Sequence, residues 1–149
     1  MWLLVRKDAV DDYWESSSDQ RVLAANPDTD ERGDPWRWTA QMVEDAKGSR
    51  VQFDVNPDYI NVQTDEYTDG YSGEITRPAG HQLLITSLVG EVLVSAVDGP
   101  WKRWLSPGDV FIIEGEEEEK LRISLTAPDA KVSVTVLQPL KAPVLRWVP

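Results

Sequence analysis

His81 is the only histidine in this chain of 149 residues, and its imidazole is the side chain best suited to acid–base chemistry near neutral pH. It stands just before a predicted strand. A tyrosine such as Tyr59 or Tyr67 could serve with it as the acid and base of an isomerase or epimerase reaction. A histidine without a partner is more often a surface or structural residue. The sequence therefore favours a structural role for His81 and keeps the catalytic role as the alternative.

Arginines and tryptophans form a second candidate set, which would bind a ligand without transforming it. Arg37, Arg77 and Arg103 could each hold a carboxylate through two parallel hydrogen bonds, which would suit a small organic acid. Pairing with the abundant surface carboxylates is the alternative for all three. The chain also has seven tryptophans, whose rings can line a pocket. The candidate ligand-binding residues are Trp38, Arg77, His81, Arg103 and Trp104.

Spacing restricts which tryptophans can share a pocket. Trp36 and Trp38 are two residues apart and therefore lie on the same side of a strand. Trp101 and Trp104 are three residues apart, so in a regular strand they lie on opposite sides. Only part of the set can point into a barrel. Core packing or a subunit contact is the expected role of most of these rings.

Acidic charge and the lack of cysteine exclude several functions. The chain has 26 acidic and 15 basic residues, a formal net charge of -11, and no cysteine. Nucleic acids and anionic membranes attract clustered Lys and Arg, so neither partner is expected. Thiol catalysis, disulfides and cysteine-ligated zinc are excluded. The apolar start, Met1 to Val5, is too short for a signal peptide, and we therefore expect a cytoplasmic protein.

Four consecutive glutamates, Glu116 to Glu119, could offer oxygen ligands to a divalent cation. Consecutive residues point in alternating directions, however, and a run of acidic residues is usually a solvated loop. We therefore predict that the protein binds no metal and uses no cofactor.

Short strands separated by frequent turns are predicted from Trp36 onward. Apolar and polar residues alternate over residues 38–42 and 51–55, which predicts a hairpin around the Lys47-Gly48 turn. The later strands are separated by turn formers such as Asp98-Gly99-Pro100 and Pro107-Gly108. Those strands are predicted at residues 83–88, 92–97, 101–105, 110–113, 121–125 and 132–137.

The remaining segments are predicted from turn residues and from apolar ends. Residues 26–34 and 64–78 are polar and rich in turn formers, which predicts loops, and residues 17–25 fit either a helix or a strand. Residues 2–5 and 144–148 are apolar and are predicted to form terminal strands. Because such strands need a sheet edge to cover them, we expect a homodimer through sheet edges or terminal strands.

The segment from Ser87 to Ile113 resembles the central hairpin of cupins. In that family one strand ends at a Gly-Glu turn, the next runs to an Asp-Gly turn, and a Pro-Gly-Asp turn opens the strand that follows. This chain has Gly90-Glu91, Asp98-Gly99 and Pro107-Gly108-Asp109 in the same order. The resemblance implies that residues 1–149 form one all-β domain, a cupin-like (RmlC-like) antiparallel β-barrel or jelly roll with little or no helix.

Cupins that are enzymes usually place two histidines and a glutamate before the first of these turns, and a third histidine after the Pro-Gly-Asp strand. Here the first region, Arg77 to Leu83, has one histidine, and the second, Glu114 to Glu119, has none. The resemblance therefore favours a metal-independent, non-enzymatic protein that binds a small molecule, such as an organic acid, in a regulatory or storage role. The isomerase using His81 and an interaction module with a packed barrel are the alternatives.

The first half of the chain resembles the HutD/Ves family of cupin-like proteins, which is associated with histidine utilisation. Members open with a strand leading to an aspartate and a tryptophan, then an arginine-bearing strand, a loop, and a strand of the Trp-Arg-x-Ser-x-Ala type. Against that pattern, residues 59–71 look like an insertion. The matching segments here are 5–8, Trp14, 21–24, 26–28 and 36–40.

Overall fold

The computed structural model describes residues 2–5, 14–17, 20–24, 36, 38–46 and 48–145. Strands form the regular structure of these residues, and they contain no helix. In the described part of the chain, no helix could therefore span a membrane. The strands are β1 Trp2–Val5, β2 Trp14–Ser17, β3 Gln20–Ala24, β4 Thr39–Asp45, β5 Gly48–Asp54, β6 Ile60–Tyr67, β7 Ser72–Arg77, β8 Gln82–Val89, β9 Val92–Ala96, β10 Lys102–Leu105, β11 Val110–Ile113, β12 Glu119–Leu125 and β13 Lys131–Pro139.

The strands from β6 to β13 form two antiparallel sheets that enclose one core. The first sheet has the order β1-β11-β8-β13-β6, and the second sheet has the order β10-β9-β12-β7. Successive strands alternate between the two sheets, apart from the hairpin of β9 and β10. Eight strands in these orders form a double-sheet jelly roll. The prediction of an all-β antiparallel barrel or jelly roll is confirmed.

The hairpin with the cupin-type turns is present as predicted. Gly90 and Gly108 have φ values of +71° and +91°, which glycine adopts without the steric cost of a Cβ atom. Ser87 of β8 links the two turns, because its carbonyl accepts from the Gly108 amide at 2.9 Å and its hydroxyl donates to the Gly90 carbonyl. The Asp109 carboxylate accepts a hydrogen bond from the Ser106 amide at 2.9 Å and closes the Pro-Gly-Asp turn.

The prediction of a loop over residues 64–78 is wrong. Most of this segment belongs to strands β6 and β7, which are the adjoining edges of the two jelly-roll sheets. An edge strand has a neighbouring strand along one edge only, so solvent reaches many of its side chains. Gln63, Asp65 and Glu66 of β6 are all exposed. In the segment 59–71, residues 60–67 form β6, which pairs with β13 over eight residues.

A third sheet, the N-terminal sheet, consists of β2-β3-β4-β5 and packs on the outer side of the first sheet. Ala40 of β4 and Trp38, which directly precedes β4, are buried against Leu84 and Ile112 of the first sheet. The predicted hairpin of β4 and β5 is confirmed, with Gly48 at a φ of +104°.

The ambiguous segment at residues 17–25 contains a strand, β3. The predicted N-terminal strand is β1, which pairs with β11. Residues 144–145 lie outside any strand, and residues 146–148 lie outside the described residues. The predicted loop at residues 26–34 also lies outside the described residues.

The space between the two jelly-roll sheets is filled by apolar side chains. Phe111 and Leu83 from the first sheet meet Leu121 and Ile123 from the second, and each of these four is 0% exposed. The Trp101 ring closes over Phe111 edge to face, with ring centroids 5.6 Å apart. This packing is the main source of stability for the domain, since each such side chain contributes about 1.5–3 kcal/mol on burial.

Candidate functional site

The larger of two clefts lies where the loop after β11 meets the end of β7, and the smaller lies between the β9–β10 turn and the start of β12. The larger cleft has a volume of about 580 Å³ and is lined by Arg77, Glu114, Gly115 and the run from Glu116 to Glu119. The smaller cleft, of about 360 Å³, shares Glu118 and Glu119 with it. The remaining lining residues of the smaller cleft are Ala96, Asp98, Gly99, Trp101 and Lys120.

Arg77 connects the loop after β7 to the loop after β11 from inside the protein. The residue is 2% exposed, and its guanidinium donates hydrogen bonds to the carbonyl oxygens of Pro78 and Gly115, at 3.1 and 2.9 Å, and to that of Glu117. The Glu119 carboxylate lies 3.6 Å from Nη2. The Nε atom is buried and has no hydrogen-bond partner among the described residues. Because the two terminal nitrogens are engaged with backbone oxygens, this predicted ligand-binding residue holds the loops together.

Gly80 allows the C-terminal segment to pack on the same loops. Its amide donates to the Gly115 carbonyl at 2.9 Å, and its own carbonyl accepts from the Leu145 amide at 2.8 Å. A Cβ atom built at Gly80 would lie 2.0 Å from the carbonyl oxygen of Pro143. Three segments therefore meet at a residue that has no room for a side chain.

Gly80→Ala is expected to lower the free energy of unfolding by about 2 kcal/mol. The φ of +78° costs about 1 kcal/mol for a residue with a Cβ, and displacing the C-terminal segment costs about one hydrogen bond. Denaturant unfolding would measure the loss. Gly70→Ala is the matched control, because φ is +69° there and nothing lies within 4 Å of the new Cβ. Equal losses in both variants would contradict a role for the contact with Pro143.

Trp38 belongs to a buried hydrogen-bonded chain that leads to the larger cleft. Its indole nitrogen donates to Gln82 Oε1 at 3.0 Å, and Gln82 Nε2 donates to Glu114 Oε2 at 2.8 Å. All three residues are less than 5% exposed. Trp38 is thus placed between the N-terminal sheet and the first sheet, outside the barrel. Gln82 and Glu114 were not candidates from the sequence, since a polar residue at a strand end gives no sign of burial.

His81 is not joined to a tyrosine. Its Nδ1 lies 2.9 Å from the carbonyl oxygen of Ala79, and among the described residues no hydrogen bond connects it to Tyr59 or Tyr67. The Tyr59 ring stacks edge to face on Trp36 at 5.0 Å, with Lys141 Nζ 4.3 Å from its centroid.

Tyr67 lies near the opposite end of the barrel from His81. Tyr67 lies level with Ser87, because both pair with Val132. Ser87 is six residues from His81 along β8, so His81 and Tyr67 are about 20 Å apart. Burial, the Asp65 charge and Tyr71 raise the pKa of Tyr67 above its ordinary value, so it stays protonated near neutral pH. The two side chains are thus too far apart to act together on one reacting group.

The remaining candidates lie on strand β10 or beside it. Trp101 packs inside the barrel, whereas Trp104 is 46% exposed on the outer side of the second sheet. The prediction that the two rings face opposite sides is confirmed. Arg103 is half-buried on the inner side, and its guanidinium donates to the Lys102 carbonyl at 2.8 Å. The structure therefore does not gather the five candidate residues around one pocket.

The glutamate run forms a loop and the start of β12. Glu116, Glu117 and Glu118 are exposed, and Glu119 is half-buried. Within the described residues, no three His, Asp or Glu side chains are arranged to hold a metal ion. Arg37 lies outside the described residues.

The fold can be compared with solved structures. A conserved protein of unknown function from Pseudomonas aeruginosa PAO1 is similar to 94% of this chain and to all of its own, at 13% identity and a TM-score of 0.68. The match over nearly the full length of both chains, together with the jelly-roll strand order and the cupin-type turns, decides the fold. The chain has a cupin-like fold. No family model and no curated protein matches it, so the HutD/Ves resemblance stays a prediction.

Other solved structures align less well with the cupin-like chain. A cupin domain from Schizosaccharomyces pombe matches 85% of this chain and 65% of its own, at 11% identity and a TM-score of 0.40. A de novo designed double-stranded β-helix matches 52% of this chain and 99% of its own, at 14% identity and a TM-score of 0.42. The fold assignment does not depend on these two.

Proposed function

We propose that this cupin-like chain is a non-catalytic binding module, in which the jelly roll is a rigid body and partners are recognised on its outer surface. The filled barrel interior carries this proposal. Phe111, Leu121 and Ile123 pack together between the two sheets, and each is fully buried. Small-molecule sites are concave, mostly apolar and about 300–1,000 Å³ in volume. The clefts of that size described above lie at the end of the barrel and are walled by carboxylates.

The charge of these clefts favours the interaction module over a protein that binds an organic acid. An anionic ligand in the larger cleft would face the run from Glu116 to Glu119. Arg77 would be its natural partner, but the terminal guanidinium nitrogens are already bonded to backbone carbonyls. The separation of His81 from Tyr67 likewise supports a non-catalytic role.

A thermal-shift screen of small organic acids and sugars tests the proposal. A compound that binds the native state at about one hundred times its Kd would stabilise the protein by about 2.7 kcal/mol. We expect no such shift for the wild-type chain. Benzene added to a Phe111→Ala variant is the positive control, because a cavity lined by apolar side chains takes up small apolar molecules. A clear stabilisation of the wild type by an organic acid or a sugar would contradict the proposal.

A further inference from the structure

The outer face of the second sheet concentrates positive charge in an otherwise acidic protein. The strand registers place Lys102 of β10 and both Lys120 and Arg122 of β12 on this side, where Arg122 forms an ion pair with Glu74 of β7 at 3.3 Å. All four are exposed. We call these four residues, together with Trp104, Leu93 and Val97, the basic face. Three of the eight Lys and Arg side chains that the structure describes lie on this face. The full set is Arg50, Arg77, Lys102, Arg103, Lys120, Arg122, Lys131 and Lys141.

Apolar groups accompany this charge. Trp104 is 46% exposed and Val97 is 36% exposed, and both are among the four large apolar residues exposed in the described part of the chain. Leu93 pairs directly with Trp104 across the strands and is half-buried. Trp104 and Arg122 share this face, and exposed tryptophan and arginine side chains are typical of an interface, where they contribute much of the binding energy.

A complementary acidic surface lies next to the basic face on the same chain. Glu117 and Glu118 are exposed on the loop that leads into β12, and Glu118 lines the smaller cleft together with Lys120. The negative loop and the positive sheet face are therefore contiguous. In a dimer with twofold symmetry, the loop of one chain can lie on the face of the other, and the reverse contact then forms as well.

We infer that the basic face binds a second copy of this chain, with the loop at Glu117 and Glu118 as its acidic counterpart. This inference rests on the proposed function, since it names the partner of the outer surface. At about 0.15 M salt the Debye length is about 8 Å, which screens the repulsion between two acidic molecules but spares contacting pairs. The same chain carries both signs side by side, and this arrangement favours a second copy over an unrelated acidic protein.

The dimensions of the basic face indicate a reversible dimer. Four strands about 4.8 Å apart and five residues about 3.3 Å apart span roughly 300 Å² of flat surface. A standard interface buries about 800 Å² on each partner, so the acidic loop and the projecting Trp104 ring must supply much of the rest. We therefore expect a dimer that dissociates on dilution.

Sedimentation velocity of charge-reversed variants tests the inference. The wild type should sediment as a dimer at about 0.15 M salt and as a monomer at about 1 M salt. A face variant, Lys102→Glu with Lys120→Glu, and a loop variant, Glu117→Lys with Glu118→Lys, should each be monomeric. An equimolar mixture of the two variants should regain the dimer, because each face then meets a loop of opposite charge at both contacts.

Several results would overturn the inference. These are a wild type that is monomeric throughout the micromolar range, a loop variant that stays dimeric, and a mixture that fails to associate although both variants melt like the wild type. Arg50→Glu with Lys141→Glu is the matched control, since it reverses two exposed charges off the basic face and should leave the dimer intact. If no dimer is observed and the ligand screen is also negative, the proposal of a non-catalytic binding module still holds, and its partner is not a second copy of this chain.

Discussion

Phe111→Ala is expected to lower the free energy of unfolding by about 3–5 kcal/mol, the usual cost of truncating a buried aromatic ring. Phe111 is 0% exposed, points into the barrel from β11 and contacts the Trp101 ring. Its neighbours in the core come from both sheets, so the two sheets cannot easily close on the space that it leaves. Equilibrium unfolding in guanidinium chloride, with circular dichroism as the signal, would measure the change.

Two further variants show whether the loss comes from the barrel interior. Phe111→Leu keeps most of the volume and should cost less than half as much as alanine. Trp104→Ala removes a larger ring from the outer side of the second sheet and, at the high salt of guanidinium chloride where the proposed dimer dissociates, should change stability by no more than about 0.5 kcal/mol. If Phe111→Ala costs under about 1 kcal/mol, the interior is more open than described, and the main argument for a non-catalytic module fails.

Arg77→Met is expected to destabilise the protein by about 3 kcal/mol or more. The substitution keeps the length and much of the volume of the side chain but removes the donors to the carbonyls of Pro78, Gly115 and Glu117. The carbonyls of Pro78 and Gly115 keep the amides of His81 and Gly80 as donors. A hydrogen bond to a charged group nevertheless contributes about 1.5–3 kcal/mol, and the substitution removes several. Replacing a buried ion pair by apolar residues can be neutral when both partners are replaced. Here most of the partners are backbone oxygens, which no substitution can remove.

Hydrogen exchange distinguishes this effect from a general loss of packing. In Arg77→Met, the amides of Gly80 and Leu145 should exchange faster than those of β8 and β13, because the loops separate before the sheets unfold. The stability of Arg77→Lys, which retains the charge but not the planar guanidinium group, should lie between that of the wild type and that of Arg77→Met. A methionine variant as stable as the wild type would show that the loops are held mainly by other contacts.

Local sequence features were sufficient to predict the central part of the jelly roll. The strands from β8 to β13 either have a neighbouring strand along both edges or lie next to a turn that contains glycine or proline. The alternation of apolar residues and the turn residues therefore predict the same strand positions. The predicted strand at residues 110–113 coincides with β11, and that at 83–88 differs from β8 by one residue at each end. Gly90 and Gly108 adopt the positive φ values that their turns require.

Edge strands and buried polar groups could not be predicted in the same way. β6 and β7 are polar because one side of each is open to solvent, and a polar alternating segment looks like a loop until its partner strand is known. Arg77 and Gln82 likewise look like surface residues, and they are buried only because loops distant in sequence fold over them.

By itself, the sequence determined an all-β chain, the turns of a cupin-like hairpin and the absence of cysteine chemistry, since these depend on residue type and on neighbours along the chain. Only the tertiary structure decided that apolar side chains of the described residues pack between the two sheets, that Trp38 lies outside them and that Arg77 joins two loops. Each of these depends on which distant strands meet, and that is set by the pairing of whole sheets rather than by local pattern.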